Sequence, residues 1–187
     1  MSRKGNLFII SGPSGAGKGS LVARILSALD DAWVSVSATT RAPRPGEVEG
    51  VSYFFVSKEE FERMIADKMM LEWACYNGNY YGTPLRYVQE HLEAGQQVIL
   101  EIEYQGAFQV KSKMPEAHLI FVEPPSLDEL RRRLIERGTE NEEEIERRIL
   151  TAKVELSKKK EYDITFVNDD LENTASAIVS YINGFAD

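Results

Sequence analysis

A single cysteine, Cys75, among 187 residues leaves no partner for an intramolecular disulfide, and two histidines are too few to build a cysteine and histidine metal cluster. Cys75 is therefore expected to be a packing residue. Long apolar runs are also missing. The N-terminal MSRKGNLFII passes into glycines before it reaches the length of a signal peptide or a membrane span, so a cytoplasmic protein without membrane contact is expected. Positive charge is scarce too: 22 Lys and Arg stand against 30 Asp and Glu, and the net −8 repels a nucleic-acid backbone unless the basic residues gather on one face. Small anionic ligands stay open, because they need only a local group of arginines and lysines. What is present is ordinary for a folded chain, with 43% hydrophobic and 28% charged residues. The length suits one domain with a substantial core.

Residues 6–11, NLFIIS, form an almost unbroken apolar run, the pattern of a strand buried on both faces of a parallel sheet. WVSVSA (33–38), QQVILEIE (96–103), AHLIFVE (117–123) and DITFVN (163–168) are four further strand candidates, short and rich in β-branched or aromatic residues. Helical signals lie between most of them. One helix is expected from about Lys18 to Leu29, one opened by Thr83 and Pro84 and closed by Gly95, and one opened by a capping box of Ser126 and Glu129. This alternation predicts an α/β fold, doubly wound around a five-stranded parallel sheet.

Two regions break the alternation. Residues 39–82 hold VSYFFVS, a helix capped by Ser57 and Glu60, and MLEWACY joined through NGN to YYG; they read as a small mixed α/β insertion serving a substrate. RGTENEEEIERR (137–148) is a glycine break followed by a helix start too polar for a core, which reads as a helical lid. The single domain then has its core at 1–38, 83–136 and 149–187.

The run GPSGAGKGS covers Gly12, Pro13, Ser14, Gly15, Ala16, Gly17, Lys18, Gly19 and Ser20, and fits the phosphate-loop pattern GxxxxGK[ST] except at Gly19. A glycine-rich turn between a buried strand and a helix exposes consecutive backbone N–H groups at a positive helix terminus, where phosphates fit. Gly12, Gly15 and Gly17 permit close approach of backbone to ligand, and Lys18 would reach the β- and γ-phosphates. Gly19 lacks the side-chain oxygen that commonly binds Mg²⁺ in phosphate-loop NTPases, which speaks against a GTPase or ATPase switch. A glycine here resembles the nucleoside monophosphate kinases. That resemblance implies ATP accompanied by a Mg²⁺ that nucleotide oxygens and waters hold, with no direct protein ligand.

Arg41 and Arg44, three apart in a loop of proline and glycine with Tyr53 nearby, could clamp a monophosphate through charge-assisted hydrogen bonds. Taken alone, they fit a solvated arginine loop equally well. Glu72 could accept the adjacent N1–H and N2–H₂ donors of guanine, whereas adenine presents an acceptor at N1; alone, it also fits a surface carboxylate. Arg133 and Arg137 share a helix face, and Arg148 follows the acidic turn.

Arg41, Arg44, Tyr53 and Glu72 lie in SATTRAPRPGEVEGVSYFFV and EWA, which together with GNYYGTP and VNDD resemble the guanylate kinases from about Asn6 to the C-terminal helix. The resemblance implies transfer of the γ-phosphate of MgATP to GMP or dGMP, in purine nucleotide metabolism. By its residues, Arg41, Arg44, Tyr53 and Tyr81 bind the GMP phosphate, while Glu72, Ser37 and Thr83 read the base and Glu101 contacts the guanosine. Glu103 supports the metal's water shell, although a plain strand-end charge is a serious alternative. Both Glu101 and Glu103 stand where the family more often has aspartates. Arg133, Arg137 and Arg148 are implied to surround the phosphates as lid arginines, with Lys18, Arg41, Arg137 and Arg148 carrying the transfer. Asn168 and Asp169 would border the adenine, a turn or helix cap being nearly as good a role. A guanylate-kinase-like binding module, or a kinase of ribose phosphates, would keep the fold but have no use for the lid arginines or the base reader respectively.

Overall fold

The computed structural model describes residues 5–138 and 141–185. Its first strand, β1 (Asn6–Ser11), is buried along its whole length, as the apolar run requires. The phosphate-loop residues follow, then α1 (Lys18–Ala28) and β2 (Ala32–Val34). Next come β3 (Ala38–Thr39), β4 (Phe54–Phe55), α2 (Lys58–Ala66), β5 (Met70–Tyr76), β6 (Asn79–Pro84) and α3 (Leu85–Glu93). The chain then alternates through β7 (Gln97–Glu101), α4 (Tyr104–Lys113), β8 (His118–Glu123), α5 (Leu127–Arg137), α6 (Glu142–Ser157), β9 (Ile164–Val167) and α7 (Leu171–Asn183).

Five strands form a parallel sheet in the order β2-β7-β1-β8-β9. Alternation along β1 explains the two covering layers. Phe8 and Ile10 point into a cluster with Leu21 and Ile25 of α1 and Ile178 and Ile182 of α7, whereas Leu7 and Ile9 join Val88 of α3 and Val110 of α4. Each such fully buried side chain stabilises the fold by about 1.5–3 kcal/mol relative to exposure. The chain leaves β1 between β7 on one side and β8 on the other, so the order reverses there. The crevice outside the carboxyl ends of β1 and β7 is where an open α/β sheet takes its ligand.

A second, mixed sheet has the order β4-β3-β6-β5, with β3 parallel to β4 and antiparallel to β6. Asn77 and Gly78, both at positive φ (47° and 77°), make the tight turn that pairs β5 with β6. Phe61 of α2 and Met70 pack with Ala38 into a small core of their own.

The expected strand 33–38 does not exist as one element. Residues 32–34 pair with β7 in the parallel sheet, and 38–39 pair in the second sheet, so a single polar-alternating run crosses from one sheet to the other. Cys75 corrects the second expectation: it is exposed near the β5–β6 hairpin tip, because Met70 and Leu71 supply that strand's buried end. At Ser126 the hydroxyl accepts the Glu129 N–H at 3.1 Å, but the Glu129 carboxylate accepts from Arg132 and Arg133 instead of completing a capping box. The complete box forms at Asn141 and Glu144, opening α6 within the polar segment. Residues 1–4 and 186–187 of the expected core, and 139–140 of the expected lid, lie outside the described residues. No helix among the described residues is long and apolar enough to cross a membrane.

Candidate active site

The turn after β1 is closed in from behind. Gly12 has φ 147°, and a Cβ there would stand 1.9 Å from the Val122 carbonyl oxygen, so only glycine lets the turn lie against β8. Asn168, buried after β9, donates to the Ala16 carbonyl at 2.8 Å and so fixes the loop's far side. Lys18 folds back over the loop, donating to the carbonyls of Gly12 at 2.5 Å and Pro13 at 3.1 Å. Burial lowers its pKa, while Glu101, Glu155 and Glu103 pull in the opposite direction. The loop thus presents amides and one ammonium, and no side chain fills it.

Two concavities flank the loop. One, of ≈ 390 Å³, lies between Gly15 and Gly17 on one side and Arg133, Arg137 and Asp169 on the other. Arg133 is tied down at both ends of its guanidinium, to Glu129 at 2.8 Å and the Asn168 carbonyl at 3.0 Å; Arg137 is exposed at the end of α5. The other, of ≈ 710 Å³, is lined by Ser14, Lys18, Glu101, Glu103, Arg148 and Glu155 among others. Arg148 already reaches the loop, donating to the Ser14 hydroxyl at 2.5 Å. Arg131, Arg132 and Arg147 are paired with Glu146, Glu129 and Glu143 respectively, as solvated arginines of these helices should be.

A third recess, of ≈ 330 Å³, opens between the two sheets and includes Ser37, Tyr53, Glu72, Tyr81 and Glu101. Glu72 is buried in it, 5% exposed, opposite Thr83 in the β5–β6 ladder. The Thr83 hydroxyl donates to the Glu72 carboxylate at 2.7 Å, so Thr83 addresses the carboxylate here. Burial raises the Glu72 pKa, with Thr83 and the Lys113 ammonium opposing that shift. Near the recess, the Arg41 guanidinium lies 5.4 Å over the Tyr53 ring, and Tyr53 meets Tyr81 edge to face at 6.1 Å. Arg44 is exposed on the same loop.

Two functional-site neighbours escaped the sequence reading. Glu47 grips Arg41 through both carboxylate oxygens, at 2.8 and 3.0 Å, and also accepts the Arg44 N–H at 2.7 Å; Arg41 holds its carboxyl down to about 2. Its signal was the spacing RAPRPGE, which places an acid six residues after the arginine. Glu155, 7% exposed on α6, faces Lys18, and burial pushes its carboxyl up to about 7. It lies seven residues beyond Arg148, two helical turns along one face, a spacing readable only once α6 is known to line the cleft.

Glu101 and Glu103, which line the cleft with Lys18, are the carboxylates that could hold a divalent ion's waters. Among the described residues no group of three acidic, histidine or cysteine side chains is placed to hold a metal. A Cβ on Gly19 would have as its nearest neighbour the Glu101 Oε2, at 3.9 Å, so an acidic oxygen stands over the loop without touching it.

A family model described as guanylate kinase matches residues 4–184. The chain belongs to the guanylate kinase family. It is 54% identical over 177 residues to a guanylate kinase of Streptomyces coelicolor, covering 95% of this chain and 90% of that one. To a Rubrobacter xylanophilus guanylate kinase it is 53% identical, covering 95% and 93%. A solved guanylate kinase of Anaplasma phagocytophilum superposes with a TM-score of 0.78 at 34% identity, over 98% of this chain and 87% of that one. Membership makes the chain a nucleoside monophosphate kinase, a transferase, built on the phosphate-loop α/β fold. For a guanylate kinase, the phosphate loop, the recess with Glu72 and the arginine-bearing α5 and α6 occupy one continuous region outside the sheet's carboxyl edge.

Proposed function

We propose that the chain transfers the γ-phosphate of MgATP directly to GMP or dGMP, giving GDP or dGDP and ADP, and that it serves purine nucleotide metabolism and GMP recycling in the cytoplasm. The observation that carries this reading is Glu72: a buried carboxylate in a recess that Tyr53 and Tyr81 also line, with the Arg41 guanidinium over the Tyr53 ring. A guanine offers that carboxylate two adjacent donors, and the clamp then lies where the 5′-phosphate falls. An adenine would set its N1 lone pair against a buried anion. A site built for such hydrogen bonds rejects an analogue lacking them by roughly 10⁴.

The donor's triphosphate would lie along the loop amides, with Lys18 released from the Gly12 and Pro13 carbonyls to its β- and γ-oxygens. Phosphoryl transfer asks the protein mainly for in-line placement and charge neutralisation. Arg41 orients the attacking phosphate oxygen. Lys18, Arg137 and Arg148 spread the charge of the migrating group, and α5 and α6 exclude water that would otherwise accept it. Mg²⁺ bound with ATP would neutralise phosphate charge, its waters held by Glu101 and Glu103. Asn168, already committed to the loop through Ala16, would border the adenine together with Asp169, and Arg133 would stand with the other lid arginines around the phosphates.

A coupled assay of ADP formation with ATP and GMP, AMP, CMP or UMP in parallel tests the reading. Turnover with GMP far above the others is expected, and equal use of AMP overturns the guanine assignment. Absence of turnover with every acceptor would favour a binding module on the same fold.

A further inference from the structure

Helix α4 belongs to the parallel-sheet core: its Ala107 and Val110 pack in the cluster with Leu7, Ile9 and Leu100. A different face of it touches the base-reading strand. Gly106 is the first contact. A Cβ there would stand 2.6 Å from the Glu72 Oε2 and 3.2 Å from its Cδ, so the carboxylate occupies the space a side chain would need. One turn on, Gln109 takes both backbone polar groups of Trp73, the residue after Glu72, accepting the Trp73 N–H at 3.1 Å and donating to the Trp73 carbonyl at 2.9 Å. A further turn on, the Lys113 ammonium donates to the Leu71 carbonyl at 2.6 Å and the Met70 carbonyl at 3.2 Å. The spacing 106, 109, 113 is that of one helix face.

These contacts bracket Glu72 on both sides along the backbone and at its carboxylate. The strand itself is anchored the same way, since Leu71 is 1% exposed within the core cluster and not in the small core around Phe61. No comparable tie from α4 to the Arg41 loop occurs among the described residues; Arg41 is held by Glu47 and packs over Tyr53, both on the chain between β3 and β4.

We infer that the face of α4 carrying Gly106, Gln109 and Lys113 determines acceptor-base selectivity by fixing where the Glu72 carboxylate stands. The inference rests on the proposal that Glu72 reads guanine. Gln109 and Lys113 are positioning residues, acting through Glu72; Gly106 also lines the recess, so its variant is read beside those of Gln109. A carboxylate moved by an ångström keeps one of its two bonds to a guanine and loses the other, so the variants should blur GMP against an acceptor that offers only one donor. Hypoxanthine is such a base, with N1–H and no 2-amino group.

The test compares binding of GMP and IMP by titration calorimetry in wild type, Gly106→Ala and Gln109→Leu, with steady-state kinetics on GMP alongside. Gly106→Ala is expected to cut the GMP to IMP affinity ratio about tenfold, the loss of one hydrogen bond to a charged group. KM for GMP should rise while kcat at saturation and KM for ATP stay within about threefold, since the loop and lid are untouched. Gln109→Leu and Gln109→Met, which both remove the two bonds to Trp73, should shift the ratio the same way by less. A merely structural role would lower the melting temperature and leave the ratio alone. If Gly106→Ala does not fold, the Gln109 pair decides by the same ratio. Wild type that phosphorylates GMP, with folded variants whose ratio does not move, overturns this inference alone. Wild type that neither binds nor phosphorylates GMP overturns the functional reading beneath it.

Discussion

The two ends of the cleft are built from different materials. On the proposed reading, the ligand-facing groups at the donor end are chiefly main-chain amides of one short loop, joined by the Lys18 ammonium and held by close backbone approach at Gly12 and by Asn168 behind. At the acceptor end they are side chains from Ser37 to Glu101, brought together by two sheets and the loop between them. A backbone site is rigid because the loop's own φ angles fix it, and it reads only phosphate. A side-chain site can read a base, but each reader needs its own support: Thr83 for Glu72, and Glu47 for Arg41. On that reading, selectivity lies at the end whose parts must be positioned one by one.

Perturbing each end should show that difference, and the largest effect belongs to the charge that spans them. Arg148→Ala, removing the lid arginine bonded to Ser14, should lower kcat by on the order of 10³ with little change in GMP affinity, read by single-turnover kinetics. Unchanged turnover would remove Arg148 from the transfer step. Next, Glu72→Gln should cost about a hundredfold in kcat/KM for GMP while leaving ATP affinity intact. In wild type, protonation of Glu72 removes the acceptor, and burial raises its pKa. GMP affinity should accordingly fall on acidification from a pH above the ordinary carboxylate range, and a titration flat to about pH 4 would contradict this.

Smaller effects follow from the supports. Glu47→Gln should raise KM for GMP about tenfold, since Arg41 loses the partner that orients it, and kcat should change less. Because Arg41 holds Glu47 down to about 2, the wild-type clamp should be insensitive to pH across the neutral and mildly acidic range. The least effect is expected on stability. Glu155 is raised to about 7 by burial, so its protonated form favours the folded state. That stability is fully present below the ordinary carboxylate pKa and is lost as pH rises through about 7. Glu155→Gln should thus leave the melting temperature unchanged near pH 5 and raise it by about 3 °C near pH 8. Equal shifts at both pH values would show that Glu155 does not titrate in this window.

The core was legible because its signals are local. The buried strands β1, β7 and β8 announced themselves by composition, the loop by glycine spacing, and α2 by Ser57, whose hydroxyl accepts the Glu60 N–H at 3.1 Å. Where the reading failed, two local patterns competed. WVSVSA carries strand propensity throughout, but its middle must leave one sheet to enter another, and nothing in the six residues marks the turn. Cys75 looked like core by type, yet the hairpin's outer end has no layer to pack against. Glu129 fitted a capping box, but two arginines one helical turn away offered stronger partners.

By itself, then, the sequence determined the strand and helix order, the phosphate loop and the kinds of side chain offered to an acceptor, because each is encoded over fewer than about twenty neighbouring residues. Only the tertiary structure decided which carboxylate is buried and which is solvated, that Glu155 faces Lys18, and that α4 carries the seat of Glu72. Burial and partner choice are properties of the packed whole. They depend on surfaces that meet only after distant segments have folded onto one another.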